Sequence, residues 1–144
     1  MHKNRKKQKN DDKNIFVVQK HLSSHAHYDF RLEIDGELAS WAIPKGPSMD
    51  PKDKRLAIVT VPHALEYADF EGVIPEGNYG AGTVTTFDKG FFENLKSDSL
   101  STCLKNGLLE VLLHGTILKG RFGLIRLKKG SDNRQWLLIK MRDE

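Results

Sequence analysis

Residues 21–34 read HLSSHAHYDFRLEI, and the second half of that run decides the fold. From residue 27 onward polar and apolar side chains alternate: Tyr28, Phe30, Leu32 and Ile34 against His27, Asp29, Arg31 and Glu33. A period of two marks a β-strand, whose successive side chains point to opposite faces. His27, Asp29 and Arg31 therefore share one polar face, and the apolar set packs away from them. Most of the remaining chain reads the same way.

Ile15–Lys20 is β-rich. Asp35-Gly36 is a two-residue hairpin signal between His27–Ile34 and Leu38–Ile43. Pro44-Lys45-Gly46-Pro47 ends that strand, and Arg55–Val61 alternates again. Ala64–Tyr67 reads as a helical turn, and Ile74–Gly82 as a glycine-rich loop. Thr83–Phe87 and Phe91–Leu95 suggest a hairpin around Asp88-Lys89-Gly90. Ser97 or Asp98 can cap a short helix that Gly107 ends. Leu108–Leu113, Thr116–Leu118, Phe122–Leu127 and Trp136–Met141 complete the strands. Short strands in such number, with one or two short helices, predict a mainly β (α+β) fold. The expected architecture is a closed or partly open barrel of about eight strands, with a sandwich as the alternative.

Length and composition set the frame. The chain has 144 residues, 38% hydrophobic and 29% charged, as expected of one globular domain with a core of its own. A single cysteine, Cys103, excludes a disulfide framework and a cysteine-based zinc site. No apolar run approaches the roughly 20 residues of a membrane span, and no apolar stretch follows the basic N-terminus as in a secretory signal. A cytoplasmic monomer is the expectation. Residues 1–14 carry six Lys/Arg and two Asp, which accounts for the whole net charge of +4. With no apolar residue after Met1, they read as a disordered basic tail, with the folded domain at 15–144. Such an arm suits sequence-blind attraction to nucleic acid, or simple solubilisation.

The polar face of residues 27–31 carries the chemistry. His27 and Asp29 are close enough to bind one metal ion, with His21 just upstream to close the set. Two imidazoles and a carboxylate suit a divalent transition metal such as Mn, Fe or Zn. An arginine beside that metal suits an anionic substrate, because its planar fork grips phosphate or carboxylate bidentately. A strand histidine is ordinarily a surface residue, so it is the combination that points to a site. His25 reads as a loop residue. His63 is suited to moving a proton, and Tyr67, four residues on, to hydrogen-bonding a phosphate oxygen. Singly, His63 also reads as a cap and Tyr67 as a half-buried aromatic. Lys45 and Arg55 read singly as solvated charges. Gly77, Gly80 and Gly82 lack the Gly-Lys-Ser/Thr ending of a nucleotide loop and are better explained as turn or barrel-corner glycines. His114 reads as a turn residue. Lys119, Arg121, Arg126, Lys128, Lys129 and Arg134, opposed by Asp132, form a basic region that could face nucleic acid.

Four blocks carry a resemblance: FVVQKHLSSHAHYDFRLEIDG (16–36), SWAIPKGPSMDPKDKRLAI (40–58), HALEYADFEGVIPEGNYGAGTV (63–84) and GRFGLIRL with QWLLIKMRDE (120–127, 135–144). Together they resemble the 3′-phosphoesterase domain of bacterial DNA ligase D, a family with free-standing archaeal and bacterial members. The resemblance covers nearly all of residues 15–144. It implies a β-barrel flanked by helices with a metal in an open groove. It further implies that His21, His27 and Asp29 bind Mn²⁺, other divalent transition metals being possible. Arg31, Lys45, Arg55 and His63 are implied to surround the scissile phosphate, with Tyr67 supporting catalysis. Gln19 is implied to be an active-site residue. The implied activity is healing of 3′ ends of DNA or RNA/DNA primer-templates. A 3′-terminal ribonucleoside is removed to leave a 3′-phosphate, which is then hydrolysed to a 3′-hydroxyl. A DNA ligase would seal the healed end in trans.

The chain departs from the family pattern in two places. An acidic pair usual before the histidine corresponding to His63 is Val61-Pro62 here. Residues 1–14 are generic and basic where family members carry residues needed for the monoesterase step. Both departures bear on phosphate removal more than on ribonucleoside removal. Two other readings of the residues stand beside the resemblance. One is an Fe(II)/2-oxoglutarate oxygenase, with His27, Asp29 and His114 as a facial triad and Arg126 for the keto-acid carboxylate. The other is a non-catalytic nucleic-acid-binding module using the tail and the C-terminal basic region.

Overall fold

The structure, a computed structural model, describes residues 14–128 and 133–142. Nine antiparallel strands are joined by short turns: β1 (Asn14–Leu22), β2 (His27–Ile34), β3 (Glu37–Ile43), β4 (Lys54–Ala64), β5 (Gly72–Ile74), β6 (Gly82–Asn94), β7 (Leu108–His114), β8 (Lys119–Arg126) and β9 (Gln135–Lys140). A 3₁₀ helix, Leu65–Asp69, follows β4, and one α-helix, α1 (Leu100–Asn106), precedes β7. The order β1-β2-β3-β4-β9-β8-β7-β6 closes because β1 also pairs with β6, giving a barrel of eight strands with β5 added outside β6. The predicted barrel is the closed one. Among the described residues no helix is long and apolar enough to cross a membrane.

Alternation sorts the strand residues as expected. Phe16, Val18, Phe30, Leu32, Ile43 and Phe122 point inward and are fully buried, with Trp41 and Trp136 packed edge-to-face among them. The β2–β3 hairpin turns on Asp35 and Gly36, at φ 54° and 83°, the two positive values that a type I′ turn requires. The outer faces of β1 and β3 carry a second small core: Val17 and Leu38 lie under Ala68 of the 3₁₀ helix. That cover explains why Phe16–Gln19 is buried on both faces.

Four sequence expectations change. Asp88-Lys89-Gly90 is not a turn, because β6 runs unbroken through it. The Asp88 carboxylate instead accepts backbone N–H groups from Thr116, Ile117 and Leu118 at 2.7–3.0 Å, and a side chain at Gly90 would overlap the His114 carbonyl. Thr116–Leu118 is accordingly the β7–β8 connection, tied to Asp88, and not a strand. The cap of α1 is Ser99, whose side chain accepts from the Thr102 N–H, one or two residues beyond the expected position. The expected tail boundary falls inside β1: Asn14 is buried and donates to the Glu33 carbonyl at 2.9 Å. Residues 1–13 of that tail lie outside the described residues.

Candidate active site

The register of the β1–β2 pair builds the site. His21 stands opposite His27, Gln19 opposite Asp29, and Val17 opposite Arg31. All six alternate with the inward residues, so they lie on the outer face of the barrel. His21 and His27 bring their rings to 4.7 Å between centroids. Asp29 lies between them and Arg31: its Oδ1 is 3.1 Å from His27 Nε2, and its Oδ2 is 3.5 Å from both His21 Nδ1 and Arg31 Nη2.

The donor set suits a metal. One ligand atom from each of His21, His27 and Asp29 lies within 4.8 Å of the others. Each imidazole has its far nitrogen next to a backbone carbonyl: His21 Nε2 is 3.1 Å from Ala81 O, and His27 Nδ1 is 3.4 Å from His25 O. With an N–H donated there, loss of the proton that the other ring nitrogen shares with the carboxylate would free that nitrogen for a metal, the usual way a metal-ligating histidine is oriented. Burial pushes the Asp29 carboxyl up, but the His27 hydrogen bond and the charges of Arg31, His27 and His21 outweigh it and hold it below its ordinary value. His27 is raised, chiefly by its hydrogen bond to Asp29. Ionised oxygen with two imidazole nitrogens is a donor set for a borderline divalent metal, and three protein ligands leave coordination positions open.

Arg31 sits beside this cluster and is only 4% exposed. Its Nε donates to Gln19 Oε1 at 2.7 Å and its Nη1 to Ser40 Oγ at 2.8 Å. Nη1 also lies 3.1 Å from His63 Nδ1, and the guanidinium carbon stands 5.0 Å from the centre of the Tyr67 ring. The same His63 Nδ1 lies 3.0 Å from the Val61 carbonyl. One nitrogen cannot accept from Arg31 and donate to Val61 at once, so the two contacts correspond to the two neutral tautomers. Burial, and then the Arg31 charge, lower the His63 pKa and favour the neutral ring. Tyr67 stacks between His63 and Phe70, with centroids at 4.5 and 5.1 Å, and burial raises its pKa.

A groove of about 430 Å³ is lined by His21, His27, Asp29, Arg31, His63 and Tyr67, together with residues that sequence reasoning did not single out as site residues. Ser23, Ser24, Thr60 and Tyr79 are among these. The glycine-rich loop forms part of the wall, and its Ala81 carbonyl meets His21. Ser40, buried beneath Arg31, was also missed; its place opposite Arg31 in the β2–β3 register was the available signal.

Other assigned residues are not among those that line the groove. Gln19 is fully buried, and its carboxamide is committed to Arg31 on one side and to the Tyr67 carbonyl, at 2.8 Å, on the other. It supports Arg31 and is not among the residues that line the groove. Lys45 and Arg55 line a separate depression of about 440 Å³, with Lys52 and Lys54. Lys45 follows the end of β3 and Arg55, near the start of β4, pairs with Leu138 of β9, whereas Thr60 and His63, further along β4, pair with β3 and line the groove. His114 lies on β7, bonded to Glu93 at 2.5 Å and stacked on Phe91, and β7 does not adjoin β2. Arg126 packs on Trp136. The facial triad with His114 is therefore not assembled. Nor does β8 present one basic face, because Arg121 and Arg126 alternate to opposite sides of it. Lys129 and Asp132 lie outside the described residues.

Residues 19–126 match the family model for the DNA ligase D 3′-phosphoesterase domain. The multifunctional non-homologous end joining protein LigD of Pseudomonas aeruginosa is 50% identical over 128 residues, which span 89% of this chain and 15% of that protein. The multifunctional non-homologous end joining DNA repair protein LigD of Mycobacterium tuberculosis is 43% identical over 134 residues, 92% of this chain and 17% of that protein. Mycolicibacterium smegmatis LigD is 39% identical over 139 residues, 94% of this chain and 18% of that protein. The chain thus spans under a fifth of the length of these relatives. With the family match spanning most of the barrel strands and every side chain of the groove, this chain belongs to the DNA ligase D 3′-phosphoesterase domain family.

Proposed function

We propose that the protein is a Mn²⁺-dependent phosphoesterase that heals nucleic-acid 3′ ends. It removes a 3′-terminal ribonucleoside to leave a 3′-phosphate, and hydrolyses that phosphate more slowly. The observation that carries this reading is the placement of one buried arginine, Arg31, between the His21, His27 and Asp29 cluster and His63 in a single groove. Membership of a 3′-phosphoesterase family supports the same reading.

A divalent metal held by His21, His27 and Asp29 would supply Lewis-acid neutralisation of phosphoryl charge. The protein's own groups do the rest. Arg31 is fixed by Gln19 and Ser40 and offers Nη2 to a phosphoryl oxygen, with no reorganisation needed as charge develops. His63, neutral at working pH, carries its proton on Nε2 when Nδ1 accepts from Arg31. That Nε2–H donates a hydrogen bond to a phosphoryl oxygen and stays on the ring; as the attacking oxygen bonds to phosphorus, the nucleophile's own proton passes to the oxygen of the departing nucleoside, whose bond to phosphorus breaks. Tyr67 holds the His63 ring from one side. The substrates on this reading are 3′ ends of DNA or RNA/DNA primer-templates, with a DNA ligase sealing the product in trans.

The test is incubation of the protein with Mn²⁺ and a 5′-labelled primer ending in two ribonucleotides. The expected product is shorter by one nucleoside and ends in 3′-phosphate, later 3′-hydroxyl. An unchanged primer, or cleavage that persists in chelator, overturns the reading. Turnover that needs oxygen and 2-oxoglutarate would revive the oxygenase alternative.

A further inference from the structure

One aromatic side chain in the groove has no part in the chemistry above. Tyr79 is 76% exposed and lines the same groove as His27, Asp29, Arg31 and His63. The other two tyrosines are packed: Tyr28 meets Phe87 at 5.3 Å, and Tyr67 lies between His63 and Phe70. Among the described residues the Tyr79 ring has no aromatic partner and its hydroxyl has no hydrogen bond. It stands within electrostatic reach of Arg31.

The loop that carries the ring is tied down. It is folded by hydrogen bonds from Asn78 N–H to the Pro75 carbonyl and from Ala81 N–H to the Asn78 carbonyl, at 3.3 and 3.1 Å. Gly77 and Gly80 take positive φ values of 91° and 77°, which a two-sided tight loop requires. Ala81, two residues past the tyrosine, contacts His21 through its carbonyl at 3.1 Å. The loop is thus tied to the cluster, and Tyr79 lines the groove that holds the cluster and Arg31. Every nucleobase has a π-face, so a ring so placed binds terminal bases without reading their identity.

We propose that Tyr79 is the stacking platform for the base of the 3′-terminal nucleoside. This rests on the reading of the groove as a 3′-end phosphoesterase site and adds a substrate-selecting element to it. A strand ending in 3′-phosphate has no base beyond the phosphorus, so the platform serves nucleoside removal alone. It thereby selects an end that still carries a terminal base over one that has lost it.

The experiment uses the full chain with chelator present and a primer whose 3′-terminal ribonucleoside bears the fluorescent base 2-aminopurine. Wild-type protein should quench that fluorescence. Tyr79→Ala should abolish the quenching and weaken binding about tenfold, within the range of base–aromatic stacking. Tyr79→Phe and Tyr79→Trp should retain both. A primer with an abasic 3′-terminal sugar should bind wild type and Tyr79→Ala equally. With Mn²⁺, Tyr79→Ala should raise KM on the ribonucleotide-ended primer and leave 3′-phosphate hydrolysis unchanged. Absence of quenching by wild type, quenching by Tyr79→Ala, or an equal loss on the abasic primer overturns the platform. Quenching without hydrolysis in Mn²⁺ would instead overturn the phosphoesterase reading and leave the platform standing.

Discussion

Gln19 and Arg31 form the hydrogen bond on which the groove is built. Arg31 Nε donates to Gln19 Oε1 at 2.7 Å, with both side chains shut away from water. The other end of the carboxamide donates to the Tyr67 carbonyl, so one side chain links the barrel wall, the arginine and the 3₁₀ helix. Gln19→Ala leaves a buried guanidinium N–H without its partner and removes one of the two donors to the Tyr67 carbonyl, the Phe70 N–H remaining, at a cost of about 1–3 kcal/mol. The expected outcome is that loss in urea denaturation, together with a tenfold or greater fall in kcat. KM on the primer should change little, because Gln19 does not face the groove. A KM effect with unchanged kcat would show that Gln19 touches substrate after all.

Metal binding should be separable from folding. The inward core is continuous without the cluster, and each fully buried large apolar side chain contributes roughly 1.5–3 kcal/mol. His21→Ala, His27→Ala and Asp29→Ala should therefore remain folded by circular dichroism while losing Mn²⁺ binding by calorimetry and all turnover. For wild type, Mn²⁺ at about a hundred times its dissociation constant should add about 2.7 kcal/mol of stability, and chelator should remove it. Metal-dependent stabilisation that survives in two of the three variants would place the site elsewhere.

These residues were legible because they lie on one hairpin face, where a period of two converts spacing into proximity. The Asp35-Gly36 turn was legible for a similar local reason. The exceptions depend on partners far along the chain. Asp88-Lys89-Gly90 has turn composition, yet Asp88 serves the backbone at 116–118 and Gly90 makes room for the His114 carbonyl. Nothing near Gln19 in sequence announces that its carboxamide reaches the Tyr67 carbonyl. Lys45 follows the end of β3 and Arg55 stands near the start of β4, several residues along the strand from Thr60 and His63, a separation that composition does not reveal. Tyr79 lies in a glycine-rich loop whose composition does not reveal that it folds against His21.

His63 should carry a pH signature of its own. Burial first, and Arg31 next, depress its pKa below the ordinary 6.5. A depressed histidine binds fewer protons folded than unfolded, so its contribution to stability is complete above 6.5 and is lost as pH falls through the lowered value. The difference in melting temperature between wild type and His63→Gln should therefore shrink as pH is lowered from neutrality. Comparing the two proteins cancels the opposing contributions of His27 and Asp29. A difference that is flat across the window, or an NMR titration of His63 with a midpoint above 6.5, contradicts this assignment.

Residues 1–13 should aid affinity and not chemistry. They hold the excess positive charge and no motif. Deleting them should weaken primer binding at low salt and flatten the dependence of log affinity on log salt, by about 0.7 for each single-strand phosphate that the shortened protein no longer neutralises. Single-turnover rates at saturating protein should hold. A tenfold fall there, about 1.4 kcal/mol of barrier, would make the segment part of the site.

The two hydrolytic steps should be unequal, with ribonucleoside removal the faster. A monoester carries more negative charge than a diester, and its attacking water must be placed and deprotonated. The acidic pair usual in the family before this histidine is Val61-Pro62 here, two exposed residues with no side-chain acceptor. Val61 engages His63 only through its backbone carbonyl. Arg31, His63 and the metal-capable cluster are intact, so the diester step keeps its machinery. A time course on the ribonucleotide-ended primer should show the 3′-phosphate product accumulating before any 3′-hydroxyl forms. Val61→Glu with Pro62→Asp should shorten that lag by accelerating the second step, with the first step changed less. Prompt conversion to 3′-hydroxyl by the unaltered protein would show that another group orients the water, and would remove positions 61 and 62 from the argument.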